Sequence, residues 1–245
     1  MKPAEFAVMQ HAENTYWWYQ GMAAISRSIL ERINPHRSVL NILDGGCGAG
    51  MAKQTYLAEH GCVTGVDYSA VALSWSAQRS RENLAQASVT ALPFKTGHFD
   101  LISSFDVLSD AGVSDDRTAL AEFYRVLHTG GRIFLRLPAF EWLSGVHDRE
   151  VATQRRYTAQ QVTAMLQEAG FSVEYVTYVN FFLFPWIAAK RWAERLLPGR
   201  QSGSDLKISL GWLDNLFLLV LLFEAWLVKF MRFPWGVTVL VIGRK

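Results

Sequence analysis

Residues 39–50 read Val-Leu-Asn-Ile-Leu-Asp-Gly-Gly-Cys-Gly-Ala-Gly, and this run constrains the fold more than any other part of the chain. An apolar stretch ends on a carboxylate, Asp44, and glycine follows at Gly45 and then at alternate positions, Gly46, Gly48 and Gly50. Apolar and β-branched residues closed by glycines predict a buried parallel strand that runs into a tight turn. Glycine tolerates positive φ, and without a Cβ it lets a ligand lie directly against the backbone where a helix begins. A helix is predicted over 51–60, stopped by Gly61.

Two ligand classes use such a turn. A dinucleotide fingerprint needs Gly-x-Gly-x-x-Gly, with an acid about 20 residues further on. Counted from Gly46, its third glycine would fall at Met51. A carboxylate placed just before the turn also suits a ligand carrying an ammonium better than a pyrophosphate. The pattern Asp44-x-Gly46-x-Gly48-x-Gly50 resembles motif I of the class I S-adenosylmethionine (SAM) methyltransferases.

The next strand, predicted over 63–66, ends at Asp67, 23 positions after Asp44. In a doubly wound sheet both strand ends open on one crevice. A carboxylate at Asp67 can accept hydrogen bonds from both ribose hydroxyls, and Tyr68 beside it joins the expected cofactor-binding set. A helix over 69–81 and a short strand over 85–89 follow. The stretch Leu92-Pro93-Phe94 … Phe99-Asp100-Leu101 resembles the passage between the third and fourth strands of the same methyltransferases. The family commonly has an aspartate where this chain has Ser88, contacting the adenine amino group. Ser88 would make that contact without charge, and Val89 would offer its N–H and an apolar surface to the ring.

The fourth strand, 101–105, is followed by Asp106. The resemblance puts Phe105 and Asp106 beside the methionine end of SAM, with Asp106 a catalytic candidate. A helix begins at Asp115 and Asp116, acids the macrodipole favours in a first turn. Gly130-Gly131 is then expected to turn the chain into a fifth strand, 132–137, again like the family. The loop 138–156 should hang over the methyl donor, because active sites of open α/β sheets lie beyond the C-terminal strand ends. It supplies His147, whose ordinary pKa near neutrality suits a general base. Trp142, Arg149 and Tyr157, in and just after this loop, are candidates for the substrate.

Tyr16-Trp17-Trp18-Tyr19 opens a helical pattern that Asn34-Pro35 ends. Four adjacent aromatics must cover something: a sheet edge, or the mouth of the site, where Tyr16, Trp17 and Trp18 would touch substrate. A helix over 158–169 and a sixth strand over 171–178 precede a final strand at 237–242. An ordinary hairpin would join those two strands with a handful of residues, so the connection at 181–234 is an insert, and connections that long are usually functional. Its second helix, expected over 213–233, is the most hydrophobic segment in the chain. Glu224 and Lys229 interrupt it, and a spanning helix needs roughly 20 largely uncharged residues. At 100° per residue Asp214, Asn215, Glu224, Lys229 and Arg232 share half the circumference, which predicts an amphipathic helix.

Lys plus Arg exceed Asp plus Glu by 24 to 22, so bulk charge gives no sign of a nucleic-acid partner. The two cysteines, Cys47 and Cys62, have no metal-ligand spacing; no metal site is expected, and the compartment is expected to be reducing. The first twenty residues lack a signal-peptide layout. The organisation expected is an N-terminal cap (1–36), a SAM-binding Rossmann-like core (37–180), a hydrophobic helical insert (181–234) and a last core strand (235–245). The resemblance implies an α/β, doubly wound, seven-stranded and mostly parallel sheet with an antiparallel last strand. It also implies methyl transfer from SAM to a small hydrophobic acceptor, of phenolic, quinone-like, terpenoid or polyketide type. A nicotinamide-dependent oxidoreductase and a catalytically idle SAM-binding module on a membrane are the alternatives. A cytoplasmic location is expected, and the insert could be buried against the domain or a homodimer partner, form a lid lining a hydrophobic substrate pocket, or make a peripheral membrane contact.

Overall fold

The structure is a computed structural model that describes residues 16–80, 83–145, 148, 152–196 and 211–245. Its centre is a seven-stranded sheet: β1 (Leu40–Gly45), β2 (Gly61–Asp67), β3 (Leu84–Gln86), β4 (Phe99–Phe105), β5 (Leu127–Pro138), β6 (Ser172–Val179) and β7 (Thr238–Arg244). The spatial order is β3-β2-β1-β4-β5-β7-β6. Strands β1 to β5 pair in parallel, and β7 runs antiparallel between β5 and β6. The expected architecture, including the reversed last strand beside β6, is the one observed.

The order reverses direction at β1 and β4, which puts the ends of both strands on one crevice, the switch point where open sheets bind ligands. Side-chain alternation fixes which residues face which layer. Leu43, Ile102, Ile133, Leu135, Val239 and Val241 face one side, packed with helices α4 (Asp116–Val126) and α5 (Ala159–Glu168). Ile42, Leu101, Phe134, Leu240 and Ile242 face the other, packed with α1 (Trp17–Ile33) and α7 (Trp212–Leu227). The N-terminal helix and the insert thus form one layer. Gly21 makes this crossing close, because a Cβ there would lie 2.2 Å from Leu221 Cδ1.

Local chemistry sets the element ends. Ser69 caps α3 (Ala70–Arg79) by accepting from Ala72 N–H, Asp115 caps α4, and Thr158 with Gln161 forms a capping box on α5. Three expectations are corrected. The helix after the glycine turn, α2, spans only Met51–Gln54 and is followed by a separate turn of 3₁₀ helix, Ala58–His60. Gly130-Gly131 does not precede β5 but lies inside it, in a bulge: Leu127 pairs with Phe99, and Arg132 with Leu101. The insert opens on α6 (Phe184–Leu196), and its second helix, α7, stops at Leu227 rather than running to 233.

Glu224 is a fourth difference. Rather than sharing a solvated face with Asp214 and Lys229, it is fully buried. Its carboxylate accepts the N–H groups of Asn180 and, at 3.3 Å, Phe182, where the chain leaves β6. Those donors have no strand to bond, so a buried acceptor from α7 satisfies them. Burial raises its pKa and the backbone N–H groups lower it in part, leaving it above the usual carboxylate value.

Candidate functional site

The glycine turn is clasped to β2: Gly46 and Cys47 N–H both donate to Val66 O, at 2.7 and 2.9 Å. This brings Asp44 and Asp67 to adjacent strand ends. Asp67 Oδ2 accepts from Gly48 N–H at 3.0 Å and Oδ1 from Ser69 N–H at 2.8 Å, so the carboxylate is aimed by backbone before any ligand arrives. Asp44 Oδ1 accepts from Ser103 Oγ at 3.1 Å, while Oδ2 is buried with no partner. Burial pushes the Asp44 carboxyl up to about 7; Ser103 opposes this and Asp67 adds to it. Asp67 is raised too, again chiefly by burial.

The turn leaves a cradle. Gly48 has φ +53, and a Cβ built on it would meet nothing within 4 Å, whereas one on Gly46 would strike Val107 at 2.2 Å. Gly48 therefore faces open space, and Gly45, Gly46 and Gly50 serve packing. An unpartnered carboxylate oxygen for an ammonium, an oriented carboxylate for vicinal hydroxyls and bare backbone between them fit SAM. The helix after the turn is too short to add much dipole.

One cavity of about 480 Å³ runs from this turn to the N-terminal aromatics, within the ~300–1,000 Å³ usual for small-molecule sites. It is lined on one side by Gly46, Gly48, Asp67, Tyr68, Ser88, Val89 and Asp110. On the other side are Tyr16, Trp17, Trp18, Tyr19 and Met22 of the N-terminal segment, and Leu183, Trp186, Ile187 and Phe217 of the insert. Phe105, Asp106 and Arg136 stand between them. Trp17 packs on Phe217 with ring centroids 5.0 Å apart, tying the N-terminal segment to α7. The aromatic leader's helix packs on a face of the sheet, over its central strands rather than its edge, and its first residues line the cavity.

Ser88 is already engaged, its hydroxyl 2.7 Å from Thr90 Oγ1 and accepting Thr90 N–H at 3.2 Å. Val89 is buried beneath it. Asp106 has φ +62, in the left-handed region that aspartate tolerates. Its Oδ2 accepts from Arg136 Nε at 3.0 Å and Nη2 at 2.9 Å, so it is held as an ion-pair partner. Arg136 also lies over the Phe105 ring, 4.7 Å from its centroid. Burial works against its charge, but Asp106 and the Tyr56 and Tyr19 hydroxyls keep its pKa above the ordinary value. Sequence reasoning missed Arg136; its signal was a lone cation in the apolar run Ile133-Phe134-Leu135-Arg136-Leu137.

Five candidates do not line the cavity: Asp44, Gly45 and Gly50 lie behind the turn that Gly46 and Gly48 present, and Tyr157 and Trp142 lie elsewhere. Tyr157 is buried, its hydroxyl 3.0 Å from Leu108 O and 2.8 Å from Asp116 Oδ2. Burial, then Asp116, push its phenol pKa up; it is a core anchor. Trp142 stacks on Phe140 and edges Phe184, outside the cavity wall. His147 and Arg149 lie outside the described residues. Among the described residues no group of three or more His, Cys, Asp or Glu could hold a metal ion.

Residues 43–135 match the family model of the methyltransferase domain. A malonyl-[acyl-carrier protein] O-methyltransferase of Enterobacter lignolyticus is 31% identical over 132 residues, covering 53% of this chain and 51% of that protein. The chain spans about half the length of the curated relatives it matches. Among solved structures, a SAM-dependent methyltransferase from Thermotoga maritima superposes with TM-score 0.61 at 15% identity, covering 98% of this chain and 97% of that one. One from Mesorhizobium loti gives TM-score 0.57 at 17% identity, covering 89% and 96%. The motif, the sheet order and the family model agree: residues 43–135 match a methyltransferase domain, set in a sheet shared with solved SAM-dependent methyltransferases.

Proposed function

We propose that the protein transfers the methyl group of SAM to a small, largely hydrophobic acceptor of phenolic, quinone-like, terpenoid or polyketide type. The observation that carries this is the shared cavity, in which the cofactor turn and an aromatic wall face each other across Phe105, Asp106 and Arg136. Bound there, SAM supplies an already activated methyl, so the protein's work is positioning and exclusion of water. Asp44 holds the ammonium end and Asp67 the ribose, over the bare backbone at Gly48. Trp17, Trp18, Trp186 and Phe217 shape the acceptor side and keep it dry.

The insert has a second face. Leu219, Trp226 and Phe230 of α7 and its continuation are 63%, 55% and 71% exposed, and Trp192 of α6 is 68% exposed. Residues 181–235 carry seven Lys or Arg against four Asp or Glu. Exposed Trp and Phe with surplus cations suit the interfacial zone of an anionic membrane better than a self-complementary dimer. We assign this face to peripheral membrane contact; among the described residues no helix is long and apolar enough to cross a membrane. The free thiols Cys47 and Cys62 fit a reducing, cytoplasmic setting.

The deciding experiment is calorimetric titration with S-adenosylhomocysteine, with NAD as control. Micromolar binding that Asp67→Ala weakens tenfold or more is expected. A well-folded protein that fails to bind this product would overturn the proposal.

A further inference from the structure

We infer that the group methylated is a carboxylate, carried on an apolar acceptor and gripped by Arg136. This rests on the methyltransferase function proposed above and narrows the acceptor to an amphiphilic carboxylic acid.

Four cations line the cavity among the described residues, Arg136, Arg156, Lys190 and Arg191; Arg156 is paired with Asp148 and both Lys190 and Arg191 with Glu194, whereas Arg136 sits at a strand end of the sheet. Its strand partner across the β4–β5 ladder is Phe105, at the strand end next to the glycine turn. Asp44 pairs with Ser103, two residues before Phe105, so Arg136 sits at the strand ends that border the glycine turn. Nε and Nη2 converge on one oxygen, Oδ2 of Asp106, and Nη1 makes no hydrogen bond to a described residue. The Arg136 side chain is 16% exposed, against 46% for Asp106. A half-exposed aspartate is a weak competitor for a guanidinium whose planar fork matches a carboxylate.

Holding the Arg136 guanidinium largely out of water is costly, and a cation kept beside a cavity needs a further purpose to justify it. Holding an acceptor carboxylate supplies one. The apolar body of the same acceptor would lie against Trp17, Trp18, Met22, Trp186 and Phe217. The chemistry also agrees with the groups present. Among the described side chains, Asp106 is committed to Arg136, and Asp148, the other acid on the acceptor side, to Arg156 at 2.7 and 3.0 Å. Alcohol or phenol oxygens would need a base; a carboxylate needs none. The carboxylate oxygen forms its bond to the methyl carbon as the carbon–sulfur bond breaks and that electron pair stays on sulfur. An ester and a neutral thioether result, both charges are cancelled, and no proton moves.

The test is calorimetric binding of decanoate and of decanamide to protein saturated with S-adenosylhomocysteine. Decanoate is expected to bind at least tenfold more tightly than the amide. Arg136→Gln should erase that ratio, and Asp106→Asn, which removes the competing carboxylate, should raise it severalfold. The ratio separates recognition from support, since a merely structural arginine would weaken both probes alike. Equal affinity for the two, binding of neither, or a ratio unchanged in both variants would overturn the inference while S-adenosylhomocysteine binding left the methyltransferase function standing. Failure of S-adenosylhomocysteine itself to bind would remove that function and this inference with it.

Discussion

With the ammonium on Asp44, as proposed, cofactor affinity depends on pH in a way that can be worked out in advance. Burial holds its carboxyl at about 7, against an ordinary aspartate value of about 3.9. A raised acid stabilises the folded protein fully below the ordinary value and loses that contribution as pH climbs to the folded one. Three units correspond to about 4 kcal/mol lost between pH 4 and 7 in the ligand-free protein. An ammonium placed on the unpartnered Oδ2 reverses the preference, because it binds the ionised carboxylate. Below pH 7 only the ionised fraction is competent, so the dissociation constant for S-adenosylhomocysteine should rise about tenfold per pH unit, roughly 100-fold from pH 8 to pH 5. Calorimetric titrations at half-unit steps would measure this, with Asp44→Asn as control. The control should bind weakly and with a much flatter profile, any remaining slope belonging to Asp67, which is also raised. A flat profile in the unaltered protein, or the same slope in Asp44→Asn, would refute the placement of the ammonium on Asp44.

Three further outcomes are expected. Gly48→Val meets no protein atom but forces a β-branched residue to φ +53; it should cost about 1–2 kcal/mol of stability while weakening S-adenosylhomocysteine thirtyfold or more, read by denaturant melts beside calorimetry. Glu224→Leu strands the Asn180 and Phe182 N–H groups and should destabilise by about 2–5 kcal/mol, whereas Glu224→Gln, which keeps an acceptor, should lose clearly less. The double variant Trp226→Gln and Phe230→Ser alters exposed side chains, so its stability should stay within about 0.5 kcal/mol of the original. Its sedimentation with vesicles containing 30% anionic lipid should fall sharply, and undiminished sedimentation, or a concentration-dependent dimer that the variant abolishes, would remove the membrane assignment.

How far the sequence speaks depends on the range of the interaction. The glycine turn and the acids ending β1 and β2 are encoded by neighbours within a few residues and were legible, whereas the reversed last strand came only through the family resemblance. Glu224 was not, because a helical wheel counts only its own helix, while the N–H groups that draw Glu224 inward belong to residues some forty positions away. The same holds for Tyr157: a phenol in a polar loop looks like a substrate contact until Asp116 is seen beneath it. Arg136 was legible in principle, since a cation inside an apolar strand needs a reason, but its partner Asp106 lies on another strand end.

The division of the cavity follows the division of the family match. Gly46, Gly48, Asp67, Ser88, Val89 and Phe105 all fall within residues 43–135. Tyr16, Trp17, Trp18, Met22, Leu183, Trp186 and Phe217 all fall outside it. The shared half is the one whose job is the same for every acceptor: an ammonium, a ribose and an adenine impose one geometry. The other half is supplied by an N-terminal helix and an insert that pack on each other through Gly21 and Leu221, and can change together without disturbing the sheet. Acceptor identity therefore does not carry over from the malonyl-[acyl-carrier protein] methyltransferases merely because half of each chain aligns. It has to be read from the wall, and from the residue where the two halves meet: Arg136, the first position beyond the match.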